Sequence, residues 1–458
     1  MEKNTTKPSG WWTTHPTLLT GSVHGLFDSN EDGLGDFEGI RQKLDYFLDM
    51  GISGYRFQHV GAYGDDYNWQ GLVQQDWYNV DPHYGTMEDF DRLMKDCNEK
   101  DVKIMMMAVP EYLGWHHPDY LAAREAKKIG LDDPRVKWFL WNDDGTVYTC
   151  WDRPGPDVSN PEYMDAFLRH IAFWMDKGVV GWDADAVGTW HNLNSEILRR
   201  FNEFIIKRGG LVTAENMVLN RDLTKYSGYN AGTGYLRHEF YNEIQAIMQH
   251  KADFIRDALK VRKELISYGM FPYQQFGDQT YSTIMNSWAS QRVEMFKLQV
   301  AFNAVLPDQV WILANVLTYT NRFSIDKEML PHNRGWGAID WEAVYEQEKN
   351  PDSPYSHVRR MFSLRSQNKE LAIGEIEELR TNSPEDVFAA IRVSEDGEER
   401  ALVIFNFSDK PNEVVVQFDD STIKSIRNYL NGERIDVVNT SLRIKMYPFG
   451  YKFYKILK

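Results

Sequence analysis

Strands and helices alternate along most of the chain, and the spacing of apolar positions sets where each one falls. Residues 21–49 read as a short strand, an acidic Gly-rich loop (DSNEDGLGD) and an amphipathic helix, GIRQKLDYFLDM. GISGYRFQHV follows as a strand bounded by Gly51 and Gly61. The stretch TMEDFDRLMKDCNEK predicts a second helix, with Thr86 as N-cap and Glu88 and Asp89 in the first turn, where the helix dipole favours acids. The nearly unbroken apolar run VKIMMMAVP marks a strand buried on both faces of a parallel sheet.

Residues 111–160 break this rhythm with an irregular stretch rich in Trp, Asp and Pro. Alternation then resumes: helix 161–177, strand VVGWDADAV, helix 194–208, strand LVTAEN, helix 252–268, strand MFPYQQF, helix 291–305 and strand VWILANV. Repeated strand–helix units predict parallel βαβ architecture, and with about eight strands a closed barrel is expected rather than an open sheet. No G-x-G-x-x-G follows any strand, which argues against a dinucleotide fold. From about 375 onward short alternating runs such as VFAAIRV, ALVIFNF and EVVVQF are split by polar turns, the pattern of an antiparallel β-sandwich. The expected organisation is therefore α/β: a (β/α)8 TIM barrel over 11–110 and 161–374, an inserted segment over 111–160, and a C-terminal β domain over 375–458.

Charge narrows the partners. The chain carries 51 Lys and Arg against 67 Asp and Glu, a net charge of −16. Such a surface repels phosphate backbones and anionic lipid, so neither nucleic acid nor membrane is an expected partner. The longest apolar runs are about ten residues, too short to span a bilayer. The opening MEKNTTKPSG lacks the apolar stretch of a secretory signal, so the expected compartment is cytoplasmic. Two cysteines, Cys97 and Cys150, are too few for a disulfide framework or a zinc cage. The 15 Trp, 24 Tyr and 24 Phe lean towards carbohydrate, because sugar clefts use exposed aromatic faces as well as buried ones.

Barrel enzymes carry their chemistry at the C-terminal ends of strands. Three carboxylates stand there in sequence: Asp185 in GWDADAV, Glu215 in LVTAEN and Asp278 in QQFGDQ. Glycoside hydrolysis with retention needs one carboxylate as nucleophile and one carboxylic acid to protonate the leaving oxygen. A third acid can hold sugar hydroxyls. Taken singly, each of the three reads equally well as a helix cap or a loop hydrogen-bonder.

The segments FDSNEDGLGDFEGIRQKLDYFLDMGI, DWYNVDPHYGTMEDFDRLMKDCNEKDVKIMM and GPDVSNPEYMDAFLRHIAFWMDKGVVGWDAD resemble the oligo-1,6-glucosidase branch of the α-amylase family. The resemblance covers most of residues 20–370, and the β tail resembles the family's C-terminal domain. It implies Asp185 as nucleophile, Glu215 as acid/base and Asp278 as transition-state stabiliser, with a carbohydrate substrate. It also implies a structural Ca²⁺ on the acidic loop, through Asp28, Asn30, Asp32, the carbonyl of Leu34 and Asp36; alternating oxygen donors suit a hard cation. The other reading of this loop is a solvated acidic turn.

Departures from the family cluster where it grips glucose. Met107 and Tyr112 stand in place of the Asp and His of its third-strand motif, and Glu111 in place of its Asn. Leu72 and Val73 replace a Tyr–Asp pair that stacks on and holds the sugar. Gly277 replaces the His before the third carboxylate, Arg56 replaces a Trp, and Asp183 replaces the Arg two residues before the nucleophile. Asp183, Tyr112, Glu111 and Arg56 are thus the candidate substrate-binding positions of an altered subsite. Asp183 and Asp185 share a strand face, and their repulsion calls for a cation: Arg56, a metal, a positively charged substrate, or some other nearby Arg or Lys. Two functions remain open. One is a retaining α-glycosidase or transglycosylase whose reactive ring is not plain glucose, an amino sugar or another modified ring. The other is an inactive relative serving as a sugar- or partner-binding scaffold. His116 and His117 read as loop or surface residues, and Trp190 and His191 as either rim packing or part of the cleft.

Overall fold

The computed structural model describes residues 9–61, 71–190, 192–214, 228–232, 246–247, 249–276, 293–318 and 339–457. Along the chain, β1 (Thr17–Gly21), α1 (Phe37–Met50), β2 (Gly54–Phe57), α2 (Met87–Glu99) and β3 (Lys103–Ala108) come first. The insert contributes α3 (Pro118–Ile129) and a hairpin of β4 (Thr149–Cys150) and β5 (Arg153–Pro154). Next follow α4 (Pro161–Asp176), β6 (Gly181–Ala184), α5 (Ser195–Lys207), β7 (Leu211–Ala214) and β8 (Ala231–Gly232). The last barrel elements are α6 (Asp253–Ser267), β9 (Phe271–Phe276), α7 (Val293–Asn303), β10 (Gln309–Leu313), α8 (Trp341–Glu348) and α9 (Pro354–Gln367).

The eight long-axis strands pair in parallel in the order β7-β6-β3-β2-β1-β10-β9-β8. Period-two alternation divides their side chains. Leu18, Met105, Leu211, Phe271, Tyr273 and Trp311 pack together inside the barrel, with the Tyr273 and Trp311 rings stacked 4.0 Å apart. Their neighbours Leu19, Ile104, Met106, Val212 and Ile312 face the helices. Both sides of each strand are therefore buried, which is why the sequence shows runs instead of alternation. Between β7 and β8 closure falls to a side chain: Asn230 accepts from the Val212 N–H at 2.8 Å and donates to the Gly210 carbonyl at 3.0 Å.

Local signals place the helices. Asp36 caps α1 by accepting from the Gly39 N–H, and α1 buries Phe37, Ile40, Leu44 and Phe47 at helical spacing. Thr86 caps α2 as expected, and Asp89 reaches back to complete a reciprocal capping box. No described helix is long and apolar enough to cross a membrane.

In the insert, the expectation for His117 is corrected. It is buried as the N-cap of α3, its Nδ1 accepting from the Asp119 N–H at 3.2 Å and its ring 4.8 Å from Trp77. His116 is exposed.

The C-terminal strands, from β11 (Gly374–Glu378) to β19 (Tyr451–Leu457), form a six-stranded and a three-stranded antiparallel sheet. In β13 (Val387–Ser394) and β14 (Arg400–Asn406) alternate residues go to different cores. Phe388, Ala390, Val403 and Phe405 join the barrel core, while Val387, Ala389, Leu402 and Ile404 face the three-stranded sheet. The six-stranded sheet is thus a middle layer. Three buried guanidiniums serve this junction: Arg365 donates to the Leu306 and Leu371 carbonyls, Arg392 to Val305 and Ala372, and Arg262 to Asp308.

Candidate active site at the barrel mouth

Asp183 lies in β6 and Asp185 directly follows it, so both side chains leave the same side of the strand, into the barrel. They are 2% and 6% exposed. The Asp185 N–H donates to the Ala108 carbonyl at 2.9 Å, extending the β3–β6 ladder by one residue. Its own carbonyl accepts from the Trp190 indole N–H at 2.8 Å. Trp190 is buried and edge-on to Phe201, which assigns it to rim packing; His191 lies outside the described residues. Ala186 sits at φ 35°, in the left-handed region that L side chains disfavour, immediately after Asp185. Such local strain persists only where surrounding packing fixes it, and it clusters at functional sites.

The countercharge for Asp183 comes from β2. Arg56, also buried, donates through Nη2 to Asp183 Oδ2. Its Nη1 contacts Thr20 Oγ1 at 3.3 Å and Gln58 Oε1 at 3.2 Å, and its guanidinium lies 5.9 Å from the Trp311 ring centre. Arg56 thereby reaches three other strands across the barrel interior, β1, β6 and β10. Among the cations that the sequence left open, Arg56 is the one set against Asp183. The Asp183 charge also acts on Tyr229, whose hydroxyl burial holds well above its usual range; a hydrogen bond with Asn202 opposes the rise and the Asp183 carboxylate adds a smaller share to it.

Around the end of β3, several of the positions at which the resemblance implies a sugar clamp carry apolar groups. Leu72, Val73, Met107, Val109, Tyr112 and Cys150 form one buried cluster, with Tyr148 packed against it. Met107 is the register partner of Asp183, so the cluster borders the acidic pair. Cys150 belongs to the insert, which seats its hairpin here. Glu111 is buried nearby, and its charge adds to the burial that raises the Tyr163 hydroxyl. Glu215 and Asp278 lie outside the described residues; in sequence they follow the last residues of β7 and β9.

The acidic loop folds on its own backbone. Asp28 accepts from the N–H groups of Asn30, Glu31 and Gly33 at 3.1, 2.7 and 2.7 Å. Asn30 accepts from Asp32 and Asp32 from Leu34, at 3.0 and 2.8 Å. Asp36 is taken by Ser29 and by its capping role. The donor types suit Ca²⁺, but among the described residues no three His, Cys, Asp or Glu side chains gather to hold a metal.

Two features escaped the sequence reading. Gln58 is buried beside Arg56, and its parity with Arg56 on β2 was the available signal. His59 accepts from the Gly61 N–H through Nδ1, which puts its proton on Nε2, 3.2 Å from His170 Nε2; His170 Nδ1 in turn donates to the Trp77 carbonyl at 2.7 Å. Nothing in the local sequence announces a pair separated by more than a hundred positions.

Residues 25–156 match the model of the α-amylase catalytic domain. A curated α-amylase, Alpha-amylase 3 of Dictyoglomus thermophilum, is 23% identical over 438 residues, 84% of this chain and 83% of that protein. In these stretches the chain is similar to the α-amylase family. Oligo-1,6-glucosidase of Heyndrickxia coagulans is 29% identical over 192 residues, only 36% of this chain and 34% of that relative. The fold agrees with that of Eubacterium rectale Amy13B, at a TM-score of 0.77 and 18% identity, covering 97% of this chain and 96% of that one. Members of this family are retaining glycoside hydrolases, and the barrel with its C-terminal sheets is their architecture. Of these two relatives the longer match is to an α-amylase and the shorter to an oligo-1,6-glucosidase, so the likeness is to the family as a whole and not to one branch.

Proposed function

We propose that this protein is a retaining α-glycoside hydrolase or transglycosylase whose reactive ring is not plain glucose. The observation that carries this is the site around Asp185: a carboxylate at the C-terminal end of β6, in the barrel interior, beside a second carboxylate already paired with Arg56. In the first step Asp185 attacks the anomeric carbon, the glycosidic C–O bond breaks, and Glu215 delivers its proton to the departing oxygen. In the second, Glu215 takes a proton from water or an acceptor hydroxyl, whose oxygen displaces Asp185. Asp278 stabilises the positive charge that builds on the sugar ring in the transition state of each step. Retention follows from the two displacements.

Departure from glucose is supported by the apolar cluster at Leu72, Val73, Met107 and Tyr112. A glucose hydroxyl turned towards Leu72, Val73 or Met107 would lose water without gaining a partner. The same cluster favours the second reading, an inactive family member that binds sugar or a protein partner. Release of sugar from a panel of α-glycosides, with glucosides, amino-sugar and sugar-acid glycosides in separate wells, separates the two. Turnover by wild type and none by Asp185→Asn establishes the hydrolase, and turnover of maltose or isomaltose at ordinary family rates removes the altered ring. Silence from every well leaves the scaffold. On the loop of residues 28–36 we place a structural Ca²⁺ that takes no part in these steps. It would draw Asp28, Asn30, Asp32, the Leu34 carbonyl and Asp36 away from their present backbone contacts.

A further inference from the structure

The β4–β5 hairpin of the insert turns on two residues, Trp151 and Asp152, between the paired Cys150 and Arg153. Both have positive φ, 50° and 59°. Two consecutive left-handed residues make the tight hairpin turn that asparagine and glycine favour and that a bulky L side chain resists. A tryptophan is an unfavourable choice for this position on backbone grounds alone. Nor does it repay the backbone by packing: the side chain is 67% exposed, and among the described tryptophans it alone is exposed.

The hairpin around it is well held. Trp115 donates its indole N–H to the Asp152 carbonyl at 3.2 Å, and Arg153 donates to the same carbonyl at 2.8 Å. Cys150, next in sequence, is buried in the cluster with Met107, whose register partner is Asp183. A strained, solvent-facing indole is thus mounted on a fixed turn whose root is packed against the strand end beside Asp183 and Asp185.

We infer that Trp151 is a stacking platform for a sugar ring, an outer subsite that receives the part of the substrate, or the acceptor, beyond the reactive ring. The C–H face of a pyranose is apolar and complements the indole face, and such contact reads ring shape more than hydroxyl identity. The inference rests on the glycosidase reading for its location, but its test does not depend on turnover.

The test is calorimetric titration of maltotetraose into the full chain carrying Asp185→Asn, with and without changes at Trp151. Trp151→Ala is expected to weaken binding by about tenfold or more, and Trp151→Phe by no more than about threefold. Trp151→Asn, which suits the turn, is expected to lose binding while raising the thermal midpoint by about 1–4 °C. Affinity within twofold of the parent for Trp151→Ala, or a parent that does not bind this sugar, overturns the platform. Turnover by wild type alongside unchanged binding in Trp151→Ala defeats this inference alone. Trp151-dependent binding in a chain that cleaves no glycoside supports the platform and defeats the hydrolase reading alone.

Discussion

Arg56 of β2 and Asp183 of β6 form an ion pair inside the barrel, reaching past β3, with both side chains almost wholly removed from water. Removing one partner of such a pair strands a buried charge and costs about 3–5 kcal/mol, whereas replacing both with apolar groups of similar size is close to neutral. Arg56→Gln is expected to be the more damaging single change, because it takes the guanidinium away from Asp183 while Asp185 stands on the same strand face. A double-mutant cycle in urea, with Arg56→Gln, Asp183→Asn and the combination, should give a double variant more stable than either single one. Additive losses would show that the two side chains do not act as a unit.

Acid should weaken this protein through its buried imidazoles, among them His59, His117 and His170. Burial lowers the pKa of His59 well below its ordinary value, and lowers His117 and His170 to about 3. The unfolded chain takes up protons near pH 6.5 that the folded one refuses. Stability is therefore intact above that pH and falls as the pH drops below it, by up to about 1.4 kcal/mol per pH unit for each histidine. His117→Asn keeps an N-cap for α3 and removes one titrating group. Unfolding free energies at pH 7.5, 5.5 and 4.5 should show a shallower decline for His117→Asn than for wild type. Parallel declines would mean that His117 does not contribute.

The Ca²⁺ proposed for the 28–36 loop predicts that chelation lowers the thermal midpoint by a few degrees and that added Ca²⁺ restores it, since an ion bound only by the folded state stabilises it. Asp32→Ala, which loses a proposed ligand and one hydrogen bond to Leu34, should abolish the response to EDTA. A midpoint indifferent to EDTA in wild type would reduce the loop to a self-closed acidic turn.

Much of the barrel was legible because strands buried on two sides betray themselves as apolar runs, and because caps such as Thr86 are local. The partnership of Arg56 and Asp183 was open to reading only as one of several choices. It depends on which strands neighbour each other and in what register, and those are properties of the closed sheet. The apolar cluster was legible in part: Leu72, Val73, Met107 and Tyr112 stood out as departures, while Cys150 joins them only because the insert folds back onto β3. His117 was misjudged for a related reason. A capping role is visible in sequence only when the helix start is, and the ring is buried by Trp77, which lies forty residues upstream.

The C-terminal sheets bear on how this chain can be cut or exchanged. Because β13 and β14 give one face to the barrel core, with Phe302 of α7 edge-on to Phe405 at 5.2 Å, the tail is not an appendage on a finished domain. A barrel ending before β11 would expose a patch of aromatic core to water. A tail expressed alone would have a sheet apolar on both sides. Neither half is a self-sufficient module, so transplanting the barrel into another protein means carrying the sandwich along with it.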